Sequence, residues 1–190
     1  MVSMIEPLAF SPQGNLLLAG VDRGVRIYDA RTGKVRRECV ARSGSMLSVA
    51  FTDDSSRVCS GGIGSKIYVW DVADPSGDFA LSLDMPSGVD PDYSQVTDLA
   101  VSRDSTSLLA FVPRDEKPGF WERLQNPPVP GIVTTETKGS LISRCSLASG
   151  SASKRLLDTT PKFSRVRLAR DGHSFGALNE DDGSFAVWRY

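Results

Sequence analysis

Histidine is almost missing from this chain of 190 residues, with His173 the single one. Acid–base catalysis and metal ligation both turn to histidine first. An enzyme built from this sequence would have to rely on carboxylates, and Asp53, Asp54, Asp181 and Asp182 sit in turn sequences without an acid–base pair or a metal set. Cysteine is sparse as well: Cys39, Cys59 and Cys145 are odd in number, far apart and form no C-x-x-C. That pattern argues against a disulfide framework and a zinc site, and it fits a reducing compartment. Neither sign of charge dominates, with 22 Lys and Arg against 23 Asp and Glu and a net charge of -1. Nucleic acid and anionic membrane therefore lack an electrostatic claim as main partner. Long apolar runs are absent, and the opening MVSMIEPLAF has neither the basic start nor the apolar core of a secretion signal. A cytoplasmic or nuclear protein without metal or cofactor is expected.

What is present is an ordinary soluble composition, 40% apolar and 24% charged, at a length that suggests one domain. One catalytic motif needs testing. Gly172, His173, Ser174, Phe175 and Gly176 spell the G-x-S-x-G of a serine hydrolase elbow. The elbow requires a strand before it, a long helix after it, and then the acid and the histidine further along the chain. Only 16 residues follow Ser174, none of them histidine, and they soon meet the turn signal Asp181-Asp182-Gly183. His173, adjacent in a strand, points to the opposite face from Ser174. The hydrolase reading is rejected.

Internal repetition explains the stretch instead. LAFSPQGNLLLAGVDRGVRIYDARTG (8–33) recurs as VAFTDDSSRVCSGGIGSKIYVWDVADPSG (49–77), and again as VRLARDGHSFGALNEDDGSFAVWRY (166–190). LAVSRDSTSLLAF (99–111) begins a weaker copy. Phe10, Phe51, Val101 and Leu168 are equivalent and are expected to be buried alike. Each unit reads as an apolar strand, a tight turn such as S-P-Q-G or T-D-D-S, a second strand, a second turn, and an alternating third strand carrying Val25 and Ile27 or Ile67 and Val69. Leu8-Ala9-Phe10 and Val49-Ala50-Phe51 suit strands covered on both faces. No stretch keeps a helical period.

These units resemble WD40 repeats, whose third strand ends in Trp-Asp, as Trp70-Asp71 does; Tyr28-Asp29 and Trp188-Arg189 are imperfect copies. The resemblance implies an all-β fold, a β-propeller of about four blades, incomplete or open. Blade 1 is expected over 1–41, blade 2 over 42–88, blade 3 over 89–150 and blade 4 over 151–190, the last without an outer strand. No copy has the Gly-His before its first strand, so the family's Asp-His-Ser-Trp hydrogen-bond network cannot be complete. Gly172 to Gly176 becomes a turn and second strand, with Ser174 a strand residue. GGIGSKIY (61–68) is likewise a turn between strands, because Ser65-Lys66 leads into strand and not into the helix of a phosphate loop.

Two irregular segments interrupt the pattern. The insertion PRDEKPGFWERLQNPPVP (113–130), with five prolines, reads as a loop replacing the turn between the second and third strands. IVTTETKG (132–139) then aligns with the third strand, and Ser143-Arg144-Cys145 with the outer strand around Cys39. ASGSASKRLLDTTPK (148–162) reads as a polar connection. The resemblance places the turn between second and third strands on the face where family members bind partners. It makes Phe120, Trp121 and Arg123 of the insertion, with Asp22 and Arg23 of the first unit, candidate partner-binding residues; the alternative for Phe120 and Trp121 is that they pack down and cap the third blade.

The resemblance thus implies a non-catalytic scaffold for protein–protein interaction within a multiprotein complex, with no small-molecule substrate. The alternative is a phosphoinositide- or nucleic-acid-binding propeller using Arg31, Lys34, Arg36, Arg37 and Arg42 at the edge of blade 1. Val35-Arg36-Arg37-Glu38 lacks the Phe-Arg-Arg-Gly context of phosphoinositide-binding propellers. The final unit lacks an outer strand and Met1 to Met4 is too short to provide one. Either another chain supplies blades, or this is a portion of a larger propeller, or four blades close imperfectly; the expectation is that a protein partner or a second copy covers apolar faces around Leu8, Val25, Val166 and Phe185.

Overall fold

The computed structural model describes residues 7–64, 66–84, 95–116, 136–148, 154–159, 163–169, 174–179 and 182–189. Among them all regular structure is strand, and the strand pairings are antiparallel. The first sheet holds β1 (Leu8–Phe10), β2 (Leu16–Asp29), β3 (Val35–Phe51), β4 (Arg57–Gly62), β5 (Lys66–Asp71) and β6 (Leu81–Asp84) in chain order.

Two of these strands each serve twice. β2 doubles back at Arg23, whose φ is 62°, and Ala30 N–H donates to the Asn15 carbonyl at 3.0 Å to close the base of the hairpin. Gly24 follows because a Cβ there would lie 2.0 Å from the Cys39 carbonyl oxygen. β3 begins as the outer strand of blade 1, with Cys39 opposite Val25, and ends as the inner strand of blade 2, with Phe51 opposite Val58. Two blades are thus joined by one continuous strand.

Blade 3 is a separate sheet of β7 (Asp98–Val101), β8 (Ser107–Glu116), β9 (Glu136–Ser146) and β10 (Lys154–Thr159), and blade 4 is formed by β11 (Phe163–Leu168), β12 (Ser174–Asn179) and β13 (Phe185–Arg189). Here the expected strand limits change. Ser143, Arg144 and Cys145 pair with Ala110, Leu109 and Leu108, so they belong to the third strand and not the outer one. The outer strand is Lys154–Thr159, inside the segment expected to be a connection, and it extends blade 3 past residue 150. An outer strand is held chiefly by backbone hydrogen bonds to one neighbour, so it needs no apolar run to announce it. The register of β8 also places Pro113 to Glu116 within strand, opposite Ser140 to Glu136, which moves the start of the inserted loop beyond Glu116.

One turn is repeated in three blades. Ser11, Thr52 and Ser102 each accept the N–H five residues on, from Leu16 at 3.0 Å, Arg57 at 3.0 Å and Ser107 at 2.9 Å. Their hydroxyls donate to Asn15, Asp54 and Asp104 respectively. The fourth residue of each turn, Gly14, Ser55 or Ser105, is left-handed, with φ of 71°, 59° and 57°. These turns pin the first strand to the second, and the Ser55 hydroxyl reaches Gln13 to tie blade 1 to blade 2.

The core lies between blades. Leu18, Val25 and Ile27 of blade 1 pack with Phe51, Val58, Tyr68 and Trp70 of blade 2. Cys59, Ile67 and Val69 pack with Leu99, Leu108 and Ala110 of blade 3, and Leu109, Phe111 and Ile142 with Phe163, Phe175 and Ala177 of blade 4. Trp70 is buried, yet its indole N–H finds no acceptor among the described residues, in line with an incomplete hydrogen-bond network.

The array is not closed, and burial reports it. Phe51 is 8% exposed, but its equivalent Phe10 is 66% exposed and Leu8 64%, because no blade among the described residues covers that face of blade 1. The expected equal burial therefore fails at Phe10, and at Val101, which is half-buried. Val25, expected near an open face, is fully covered by blade 2. Phe185 is open as expected, whereas the side chains of Val166 and Leu168 lie outside the described residues.

Candidate binding rim

The turns between second and third strands in blades 1 and 2 meet at the crossing between these blades. In blade 1 that turn carries Asp22 and Arg23, both exposed. Asp22 accepts a hydrogen bond from the Ser45 hydroxyl at 3.3 Å, which joins the turn to the crossing between blades 1 and 2. The Ile63 N–H of blade 2 donates to the Ser45 carbonyl at 3.3 Å, and Ile63 bridges in turn to Gln95 ahead of blade 3. Asp22, Ser45, Ile63 and Gln95 therefore form a connected row across three blades. Ile63 is an exposed apolar side chain in the middle of it. Ser45, Ile63 and Gln95 were missed in the sequence, where the signal was an isoleucine directly after Gly61-Gly62, in a turn too tight to bury it.

The described part of the β8–β9 hairpin ends at the pair of Glu116 with Glu136. Phe120, Trp121 and Arg123 themselves lie outside the described residues.

Of the basic edge of blade 1, Arg36 is held in an ion pair with Asp29 at 3.0 Å, and the neighbouring Arg26 in another with Glu38 at 2.8 Å. Glu38 and a hydrogen bond with Tyr28 push the Arg26 pKa up from its ordinary value, fixing its charge. Arg37 is half-buried with one guanidinium nitrogen unpartnered among the described residues, Arg31 and Lys34 are exposed, and the Arg42 side chain is outside the described residues.

Among the described residues the candidate catalytic groups do not converge. Ser174 lies in β12 opposite Arg189, while His173 and Asp181 are outside the described residues. Asp54 is engaged by Thr52 and Ser56, whose hydrogen bonds hold its carboxyl down at about 2. Asp182 is likewise lowered by hydrogen bonds from Ser184. Burial pushes the Cys59 thiol up to about 12 and that of Cys39 to about 11, which suppresses the thiolate a nucleophile or metal ligand needs. No cluster of three or more His, Cys, Asp or Glu that could hold a metal occurs among the described residues. No helix among them is long and apolar enough to cross a membrane.

At the axis, inner strands from all four blades line a cavity of about 450 Å³ that includes Leu8, Ser48, Asp98 and Arg167. Arg167 and Asp98 close its wall between blades 3 and 4 with an ion pair at 2.9 Å. Blades arranged radially around such an axis define a β-propeller array. The family model for the WD domain, G-beta repeat, matches residues 8–29 and 33–71, the first two blades. Residues 8–71 thus carry the WD40 repeat, and the resemblance of the later units to them extends it along the chain. It is 35% identical over 71 residues to the WD repeat-containing protein 91 homolog of Dictyostelium discoideum, covering 37% of this chain and 9% of that protein. It is 31% identical over 74 residues to WD repeat and SOCS box-containing protein 1 of Mus musculus, covering 37% and 18%. Similarity to the 66 kDa stress protein of Physarum polycephalum is 28% over 79 residues, 40% of this chain and 13% of that protein. The chain thus spans less than a fifth of the length of each of these relatives.

Proposed function

We propose that the chain is a non-catalytic protein-interaction domain that holds a protein partner on the rim of Asp22, Arg23, Ile63 and the inserted loop with Phe120, Trp121 and Arg123. The observation that carries this reading is Arg23. It is exposed and held at φ 62°, where a side-chain-bearing residue costs about 1–2 kcal/mol and glycine would be free of strain. A strained, charged residue on an exposed turn points to use of that side chain. Beside it, the apolar Ile63 supplies desolvation and Asp22 and Arg23 supply directional contacts, the composition of a protein-binding patch. The SOCS box in the name of one relative suits membership of a multiprotein complex, in the cytoplasm or nucleus.

Affinity purification of the tagged chain, with stoichiometry read by mass spectrometry, tests the reading. A partner recovered at fixed stoichiometry should be lost from Arg23→Glu and from Phe120→Ala/Trp121→Ala chains that keep wild-type circular dichroism. Capture indifferent to both variants would sink it. The second reading, phosphoinositide or nucleic acid on the edge of blade 1, rests on Arg31, Lys34 and half-buried Arg37. It predicts binding to anionic vesicles or oligonucleotides that weakens steeply with salt. The Arg36–Asp29 ion pair weighs against it.

A further inference from the structure

Among the described residues, seven of the eight large hydrophobic side chains that are exposed lie on the end blades: Leu8, Phe10, Val35 and Val40 on blade 1, and Leu178, Phe185 and Val187 on blade 4. Exposure of this kind is concentrated at faces and not scattered as on ordinary surfaces. The repeat identifies what those faces are. Trp188 is equivalent to Trp70 and Tyr28, so Phe185 and Val187 occupy the positions of Ile67 and Val69 in blade 2 and of Val25 and Ile27 in blade 1. Those four residues are 0% to 1% exposed because the next blade lies on them, whereas Phe185 is 77% exposed and Val187 65%. They line an open depression of about 360 Å³ together with Gly176, Ala177 and Leu178.

The other open face carries the matching half. Phe10 is equivalent to Phe51, and Phe51 packs in one cluster with Val25 and Ile27. The contact between blades 1 and 2 is thus a template, within this chain, for Phe10 against Phe185 and Val187. We propose that a second copy of this chain covers both faces, blade 1 of each copy packing on blade 4 of the other about a two-fold axis. Two such contacts close the assembly, so association stops at a dimer. The polar part of blade 1's face, the Arg26–Glu38 ion pair, joins its third and outer strands, while Phe10 and Leu8 lie on the inner strand. Blade 4 has no outer strand among the described residues, so that ion pair faces the side where water stays.

Self-association of the purified chain needs no rim partner, so its outcome is separate from the proposed function. Sedimentation equilibrium should give a dimer. Phe10→Asp and Phe185→Asp should each weaken dimerisation on the order of 30-fold or more, as expected for removing a buried aromatic anchor. Both side chains are exposed in the single chain, so both variants should keep wild-type circular dichroism. Mixing the two variants restores one intact Phe10–Phe185 contact per pair, so a mixed dimer should form where neither variant dimerises alone. A wild-type monomer at all concentrations, open-ended growth, or a dimer unaffected by Phe185→Asp would overturn the proposal.

Discussion

Gly14, Ser55 and Ser105 hold one left-handed turn position in three chemical settings. A Cβ at Gly14 meets nothing within 4 Å, so only backbone strain decides substitutions there. Gly14→Ala should cost about 1 kcal/mol, and Ser105→Gly should change stability by less than about 0.5 kcal/mol, since relief of strain is offset by a freer unfolded chain and by loss of the hydroxyl that accepts the Asp54 N–H at 3.4 Å. Urea midpoints of the two variants measure this; a loss at Ser105→Gly as large as that at Gly14→Ala would contradict it. Asp54 in the same turn gives a pH dependence. Its carboxyl stands at about 2 in the fold against an ordinary 3.8, through hydrogen bonds from Thr52 and Ser56. The folded-state value is depressed, so the stabilisation is present above about pH 4 and is lost as pH falls from 4 toward 2. Asp54→Asn should flatten the loss of urea midpoint below pH 4, and an unchanged slope would count against this network. Cys39, Cys59 and Cys145 are all buried, the first two with raised thiol values. Ellman's reagent at pH 8 should find no fast-reacting thiol in the folded chain and three after denaturation.

At the level of strands and blades, Trp70 is the largest fully buried side chain among the described residues, its ring tilted by 31° to that of Tyr68 at a separation of 5.8 Å. Trp70→Ala should cost about 3–5 kcal/mol, the range for emptying an aromatic site. Trp70→Phe should cost clearly less, because it also removes an indole N–H that lacks an acceptor. Equal losses for the two variants would show that the orphan donor has no energetic weight. The same residue shows why part of the fold was readable. Trp70-Asp71, Tyr28-Asp29 and Trp188-Arg189 are local signals, and they located the third strands of blades 1, 2 and 4. Blade 3 carries Cys145-Ser146 where blade 2 has Trp70-Asp71, as the pairing of Leu108 with Cys145 and of Val58 with Trp70 establishes. Without that marker the third strand was placed too early and β10 passed as a connection. Of the binding rim, Asp22 and Arg23 were visible as a turn. The row through Ser45, Ile63 and Gln95 was not, because it is made by hydrogen bonds between blades.

For the whole molecule, the consequence of stacking blades is a gradient of protection. Blades 2 and 3 are covered on both faces, and Ile67, Tyr68, Val69 and Trp70 along β5 are all buried. In β13 the pattern alternates, with Phe185, Val187 and Arg189 exposed and Ala186 and Trp188 partly covered. Each repeat in such an array is stabilised mainly by its neighbours, so an end blade has one interface where a central blade has two. Amide hydrogen exchange in dilute solution should therefore be slowest in β4, β5 and β8 and faster in β1 and β13, because opening an end blade breaks one interface only. Raising the chain concentration through the dimerisation range should slow exchange in β1 and β13 and leave β5 unchanged, since mass action adds stability where the second copy binds. Protection that is uniform along the chain would mean the blades open as one unit. Protection of β13 that ignores concentration while a dimer forms would place the contact on some face other than blade 4.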